Sequence, residues 1–340
     1  MPCQHRPFRA DACAVWTYTV PTAAGLLRNG AQLLVALPDF FIVGASKAGT
    51  TSLTKWLRMH PDIFFCRPKE PFFWSTDYPR LRAHRGFDTR SAYEELYSSA
   101  EARNALHRGD GSTTYLYSET AVSDILREIP AARFLVCLRN PVDLLASWHR
   151  TQLIALNEDE RDFAKAWSRS LDGRLPGTDF LDPKRVDYQL MGRLGAAVQR
   201  LLDRVPAQQV CFVVFEDLAT RPSVVWESIT RFLDVSADPA PDFTAHNPST
   251  KMYRSHLLHR VKHRPPKMLA APMRVIRKRS KRSANPEWRR LRHLLWRSEA
   301  RPELSDALRQ ELADYFAADV ELLGTLIGKD LSAWSKVSPR

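Results

Sequence analysis

Asp39-Phe-Phe-Ile-Val-Gly44-Ala-Ser-Lys47-Ala-Gly49-Thr50-Thr-Ser52 is the stretch on which the reading of this chain turns. Its first half is a short, β-rich apolar run stopped by glycine, the pattern of a buried strand. From Thr50 to Met59, Leu53, Trp56 and Leu57 share one helical face, and His60-Pro61 closes the helix. A loop between a strand and a helix is where an α/β fold presents backbone N–H groups and a helix N-terminus to an anion.

The same alternation continues on both sides of later loops. Ile63 to Phe65, Phe134 to Leu138 and Val210 to Phe215 read as further strands. Helices are expected from a Ser91 cap, over Ser118 to Ile129, from Pro141 through Trp148, over Asp187 to Val205, and at 222–234 and 303–325. Pro68, Pro71 and Pro79 mark an irregular stretch. Strands alternating with helices imply a parallel sheet covered on both faces. The expected architecture is an α/β, P-loop-like three-layer fold with a central parallel sheet flanked by helices. One domain is expected over 38–334, after a poorly defined N-terminal extension (1–37) and before a short tail (335–340).

Composition bounds the function. At 340 residues and 44% hydrophobic content, the chain can bury a substantial core. The net charge of +12 is regional: residues 251–301 carry 17 Lys and Arg against Glu287 and Glu299, so the rest totals −3. This basic insertion suits a polyanion, a membrane surface or a phosphorylated ligand, or is simply a solvated segment. Five widely spaced cysteines form no CxxC or Cys/His cluster, which gives no signal for zinc. No apolar run approaches the roughly 18–20 residues that span a bilayer. A cytoplasmic location is therefore expected.

The chemistry of the first loop separates it from a nucleotide triphosphatase. Gly44 and Gly49 have the glycine spacing of a Walker A loop, but Thr50 and Thr51 stand where Lys-Ser/Thr would follow. The lysine, Lys47, lies inside the loop. A triphosphatase places its lysine on the β- and γ-phosphates and a hydroxyl on magnesium. Here hydroxyls open the helix, and the lysine suits an anion nearer the loop tip.

Three motifs taken together resemble the sulfotransferases that use 3′-phosphoadenosine 5′-phosphosulfate (PAPS). They are Ile42-Val-Gly-Ala-Ser-Lys47-Ala-Gly-Thr-Thr-Ser-Leu53, Leu57-x-x-His60-Pro61 and Lys69-Glu70-Pro-Phe72-Phe73. The likeness is greatest to the heparan-sulfate type and its bacterial relatives, and it runs from about Pro38 to Trp334 with a poor fit between Lys251 and Arg297. It implies that Ser46, Lys47, Ala48, Gly49, Thr50, Thr51 and Ser52 cradle the 5′-phosphosulfate. It implies that Arg139 and Ser147, in Leu138-Arg-Asn-Pro-x5-Ser147, hold the 3′-phosphate; an arginine fork suits that anion. It implies that Glu70 is the general base, with Phe72, Phe73 and Trp74 excluding water, and that Lys47 is catalytic beside it. No metal is required by this reading.

Gly109-Asp-Gly-Ser112-Thr-Thr-Tyr115 is similar to a family segment in which several heparan-sulfate enzymes carry a lysine where this chain has Ser112. Asp187-Tyr188, Phe215-Glu-Asp-Leu218 and Asp330-Leu-Ser-x-Trp334 also fit the family and read as architectural. The expected acceptor is an anionic glycan or glycolipid, with peripheral membrane contact through the basic insertion and no nucleic acid; the sequence does not give the oligomeric state. Two other readings stay open: a P-loop-type kinase, and a non-catalytic polyanion-binding protein.

Overall fold

The computed structural model describes residues 37–177, 181–243, 251–253, 296–298 and 303–335. They fall into two compact units. One is built from the chain up to Leu145, Tyr188–Phe243 and Asp306 onward; the other from Ala146–Asp187 and Thr244–Ser305.

The first unit holds a five-stranded sheet of β1 (Phe40–Gly44), β2 (Ile63–Phe65), β3 (His107–Asp110), β4 (Arg133–Leu138) and β5 (Val210–Val214). Its order is β2-β3-β1-β4-β5, and every pairing is parallel. The flanking helices are α1 (Thr50–Leu57), α2 (Pro79–Arg85), α3 (Arg90–Glu95), α4 (Ala100–Asn104), α5 (Ala121–Glu128) and the start of α6 (Pro141–Ala155). The three-layer α/β expectation is met. β1 and β4 are the core: all of β1 is buried, and so is Phe134 through Leu138. Phe41 stacks on Phe134 across them, with centroids 5.7 Å apart.

β3 is a strand that periodicity does not reveal. His-Arg-Gly-Asp has no apolar alternation, yet it pairs on both edges. Its charges are met individually: the Asp39 carboxylate accepts from the Arg108 guanidinium and backbone N–H and lies 3.3 Å from His107 Nδ1. Gly109 allows the Phe40 and Phe65 rings to cross it, since a Cβ there would come within 2.5 Å of both.

Several helix ends differ from expectation for local reasons. Thr89, not Ser91, caps α3, its hydroxyl accepting from the Ala92 N–H. α5 starts at Ala121 because Ser118 and Thr120 are drawn into a turn around the Asp77 carboxylate. The long helix expected over 187–205 is two, α8 (Tyr188–Gly192) and α9 (Leu194–Leu202). Asp319 of α12 (Asp306–Ile327) accepts from the N–H groups of Gly195 and Ala196 at 2.7 and 2.9 Å, so a carboxylate distant in sequence starts α9. Phe215 opens α10 (Phe215–Thr220) instead of ending β5, and α11 (Pro222–Leu233) follows.

The second unit contains the rest of α6 and α7 (Phe163–Leu171), the latter capped by Asp162. Arg169 bridges Glu158, which is buried, and Asp159, which is exposed. The ribbon of β6 (Lys251–Tyr253) and β7 (Trp296–Ser298) is antiparallel, with Tyr253 opposite Trp296. Apart from these strands, the expected basic insertion lies outside the described residues. So does nearly all of the N-terminal extension. No described helix is long and apolar enough to cross a membrane.

Candidate active site

The loop after β1 is held at three points. Lys47 adopts a left-handed backbone, φ 73°, and its carbonyl accepts from Arg139 Nη1 at 3.0 Å. Ser46 shares a 2.8 Å hydrogen bond with Thr113, and Ala48 is fully buried. Gly49 precedes α1 at φ 80°, where a Cβ would lie 2.4 Å from Leu218 and 3.2 Å from Phe215; only glycine fits both the conformation and the space. α1 then begins with no side-chain cap and no acid in its first turn. Its opening N–H dipoles are thus not met by a carboxylate of the helix's own first turn, which suits them to an anion. Thr50 is buried, Ser52 half-buried and Thr51 exposed.

Arg139 leaves the end of β4 and lies over the Phe215 ring, 4.4 Å from its centroid. The next residue, Asn140, caps α6 through the Val142 N–H and donates to the Trp334 carbonyl, so the C-terminal motif braces this turn. Glu216 lies nearby: burial pushes its carboxyl up, while Arg139 opposes the shift. Ser147 lies on the part of α6 assigned to the second unit; it is buried, and its carbonyl accepts from Thr151.

Glu70 is tied to the loop through its neighbour. Lys69 Nζ donates to Thr50 Oγ1 at 2.8 Å and to Glu70 Oε1 at 3.3 Å. Arg85 of α2 donates to the Glu70 carbonyl, lies 4.0 Å from its carboxylate and covers the Phe72 ring. Phe72, at φ 61°, turns the chain inward, so Phe72, Phe73 and Trp74 are buried. Phe73 stacks on Tyr93 at 4.3 Å.

The motif 109–115 lies behind both loops. Asp110 is fully buried, and burial pushes its carboxyl up to about 6 despite donors from Ser112, Tyr93 and Tyr115. Ser112 donates to Asp110 Oδ1 at 2.7 Å and accepts from the Phe72 N–H at 3.0 Å. It is therefore committed to the scaffold.

Within the first unit, Ser46 through Ser52, Glu70 and Arg139 converge on the carboxyl ends of β1 and β4, the crevice where open α/β sheets bind ligands. Sequence reasoning gave no part to the Lys69 contact with Thr50 or to Arg85, and took Phe215 only as part of an architectural motif. The adjacency of Lys69 to Glu70 was the one available signal; the other two depend on tertiary approach. Among the described residues, no group of three His, Cys, Asp or Glu could hold a metal ion.

Residues 37–316 match the model of the sulfotransferase domain family. The chain belongs to this family. A crystal structure of a sulfotransferase from Alicyclobacillus acidocaldarius superposes on this sulfotransferase-domain chain with a TM-score of 0.63 at 26% identity, covering 88% of this chain and all of that one. A human bifunctional heparan sulfate N-deacetylase/N-sulfotransferase 2 is 29% identical over 217 residues, which is 59% of this chain and 22% of the human protein. A Caenorhabditis elegans bifunctional heparan sulfate N-deacetylase/N-sulfotransferase 1 is 25% identical over 216 residues, 63% of this chain and 24% of that protein. The chain thus spans under a quarter of the length of these curated relatives.

Proposed function

We propose that this chain transfers a sulfuryl group from PAPS to a hydroxyl or amine of a carbohydrate-type acceptor. The observation that carries the reading is the Lys69 bridge: it keeps the Glu70 carboxylate two hydrogen-bond lengths from Thr50, the first residue of the anion-binding helix. A base and an anion cradle are thereby joined in one constellation.

In this mechanism the loop N–H groups and Lys47 hold the 5′-phosphosulfate, while Arg139 and Ser147 hold the 3′-phosphate. The acceptor oxygen or nitrogen attacks sulfur in line. Its new bond to sulfur forms as the bond from sulfur to the 5′-phosphate oxygen breaks, and Glu70 takes the acceptor proton. Lys47 and the helix dipole stabilise the charge that collects on the departing phosphate oxygen. The paired aromatics limit competition from water.

The acceptor class is supported by two things. The relatives above are named for heparan sulfate, and the helix beside Glu70 is cationic. α2 carries Arg80, Arg82, His84 and Arg85 with no acid, and Arg80, His84 and Arg85 are exposed. An acceptor bearing carboxylate or sulfate groups complements that face. The displaced lysine argues against a kinase.

The test is incubation with labelled PAPS and a panel of glycans, glycolipids and small alcohols, read by mass spectrometry. Sulfated product is expected on a glycan. Lys47→Ala should cut turnover by about a thousandfold. Near-normal turnover in that variant sinks the assignment, and magnesium-dependent ATP turnover by the wild type would replace it.

A further inference from the structure

The 109–115 segment touches both loops of the proposed site yet has no part in the transfer step. Its hydrogen bonds share one direction. Tyr93 and Tyr115 each donate to Asp110 Oδ2 at 2.9 Å, and the Ser112 hydroxyl and N–H donate to Oδ1. An ionised carboxylate only accepts, so all three hydroxyl protons are drawn inward. Each hydroxyl oxygen then presents a lone pair outward, and each meets a donor of one short loop. Ser112 accepts from the Phe72 N–H at 3.0 Å, Tyr115 from the Trp74 N–H at 3.3 Å and Tyr93 from the Trp74 indole at 3.0 Å.

This loop begins at Glu70 and contains the left-handed Phe72. A non-glycine residue in that conformation persists only where its surroundings hold it. On the upstream side, the Gly111 N–H donates to the Lys69 carbonyl. The same segment reaches the donor loop through Thr113 and Ser46.

We propose that Asp110 is a positioning residue for Glu70: by orienting the hydroxyls of Tyr93, Ser112 and Tyr115, it anchors the 70–74 loop against the donor loop. The inference rests on Glu70 being the base, as proposed above. Asp110 touches neither donor nor acceptor in this scheme. Its effect passes through hydrogen-bond polarity, so an isosteric change is enough to break it. An Asn at this position keeps one accepting oxygen for Ser112 but turns an NH2 toward the two tyrosines. Their oxygens must then accept from the amide, and their protons turn toward the Trp74 donors.

The experiment compares Asp110→Asn, Glu70→Gln and the double variant by amide hydrogen exchange, binding of 3′-phosphoadenosine 5′-phosphate, and turnover of PAPS with N-desulfated heparin as the acceptor probe. In Asp110→Asn, exchange at Phe72 and Trp74 should be about tenfold faster. The nucleotide should bind within about twofold of wild type, and turnover should fall about a hundredfold, as misplacement of a reacting group predicts. Adding Asp110→Asn to Glu70→Gln should lower turnover no further.

Unchanged exchange at both amides overturns the proposal. So does nucleotide affinity falling as far as turnover, or losses that multiply in the double variant. Wild-type turnover in Glu70→Gln would instead refute the base assignment, and with it the link to Glu70. If the wild type does not sulfate this acceptor, the exchange and nucleotide results decide Asp110's hold on the loop by themselves. Should Asp110→Asn not fold, Tyr115→Phe serves: exchange should quicken at Trp74 and not at Phe72, and no change at Trp74 overturns the proposal.

Discussion

At the scale of the residue, Asp110 answers to two opposed requirements. Its ionised form orders the 70–74 loop, but burial raises its pKa from 3.8 to about 6. A raised carboxyl pKa means that the folded state binds the proton more tightly than the unfolded chain. The stabilising contribution is therefore full below about pH 4 and is lost as pH rises through about 6. Relative to Asp110→Asn, the wild type should gain unfolding free energy as pH falls from 7 to 4, measured by denaturant titration at each pH. A constant difference across that window would contradict the assignment. Burial acts in the same direction on the described cysteines: it pushes Cys66 up, Cys137 to about 12 and Cys211 to about 11, as it does for thiols packed as small hydrophobes. Lys47, Arg139 and Glu70 are legible as candidates because each sits in a short local pattern. The motif holding Asp110 and Tyr115 was also legible, but the hydrogen bonds that join them to Tyr93 and to the 70–74 loop were not, because these exist only where three distant segments meet.

At the scale of the element, the readable parts were those whose signal is local. β1, β4 and β5 are continuous apolar runs, and α6 announces itself with Pro141 at its start. β3 was hidden because Asp39 supplies the partners for its charged residues. The break between α8 and α9 was hidden because its cause, Asp319, lies more than a hundred residues away. That carboxylate acts as an N-cap delivered by another helix. Asp319→Ala should cost about 1–2 kcal/mol of unfolding free energy, the range for losing a helix cap. Leu194 to Leu202 should also show faster amide exchange, while nucleotide binding is retained. Gly192 and Gly195 belong to the same joint: a Cβ on either would lie within 2.3 Å of α12, at the Phe316 ring and the Asp319 carbonyl.

At the scale of the whole molecule, charge and chemistry are divided. The described site residues supply a small number of directed cations, whereas the +15 excess of residues 251–301 is diffuse. If that run recruits an anionic acceptor, replacing its Lys and Arg with Gln should abolish retention on heparin at moderate salt while leaving 3′-phosphoadenosine 5′-phosphate affinity unchanged. Equal retention by both forms would assign glycan recognition elsewhere, with the exposed face of α2 the next candidate. The Lys69 bridge carries a different consequence. The cation that reaches the loop after β1, Lys69, and the proposed base, Glu70, are consecutive residues on one segment. They are wired in series, so withdrawing that segment disarms both together.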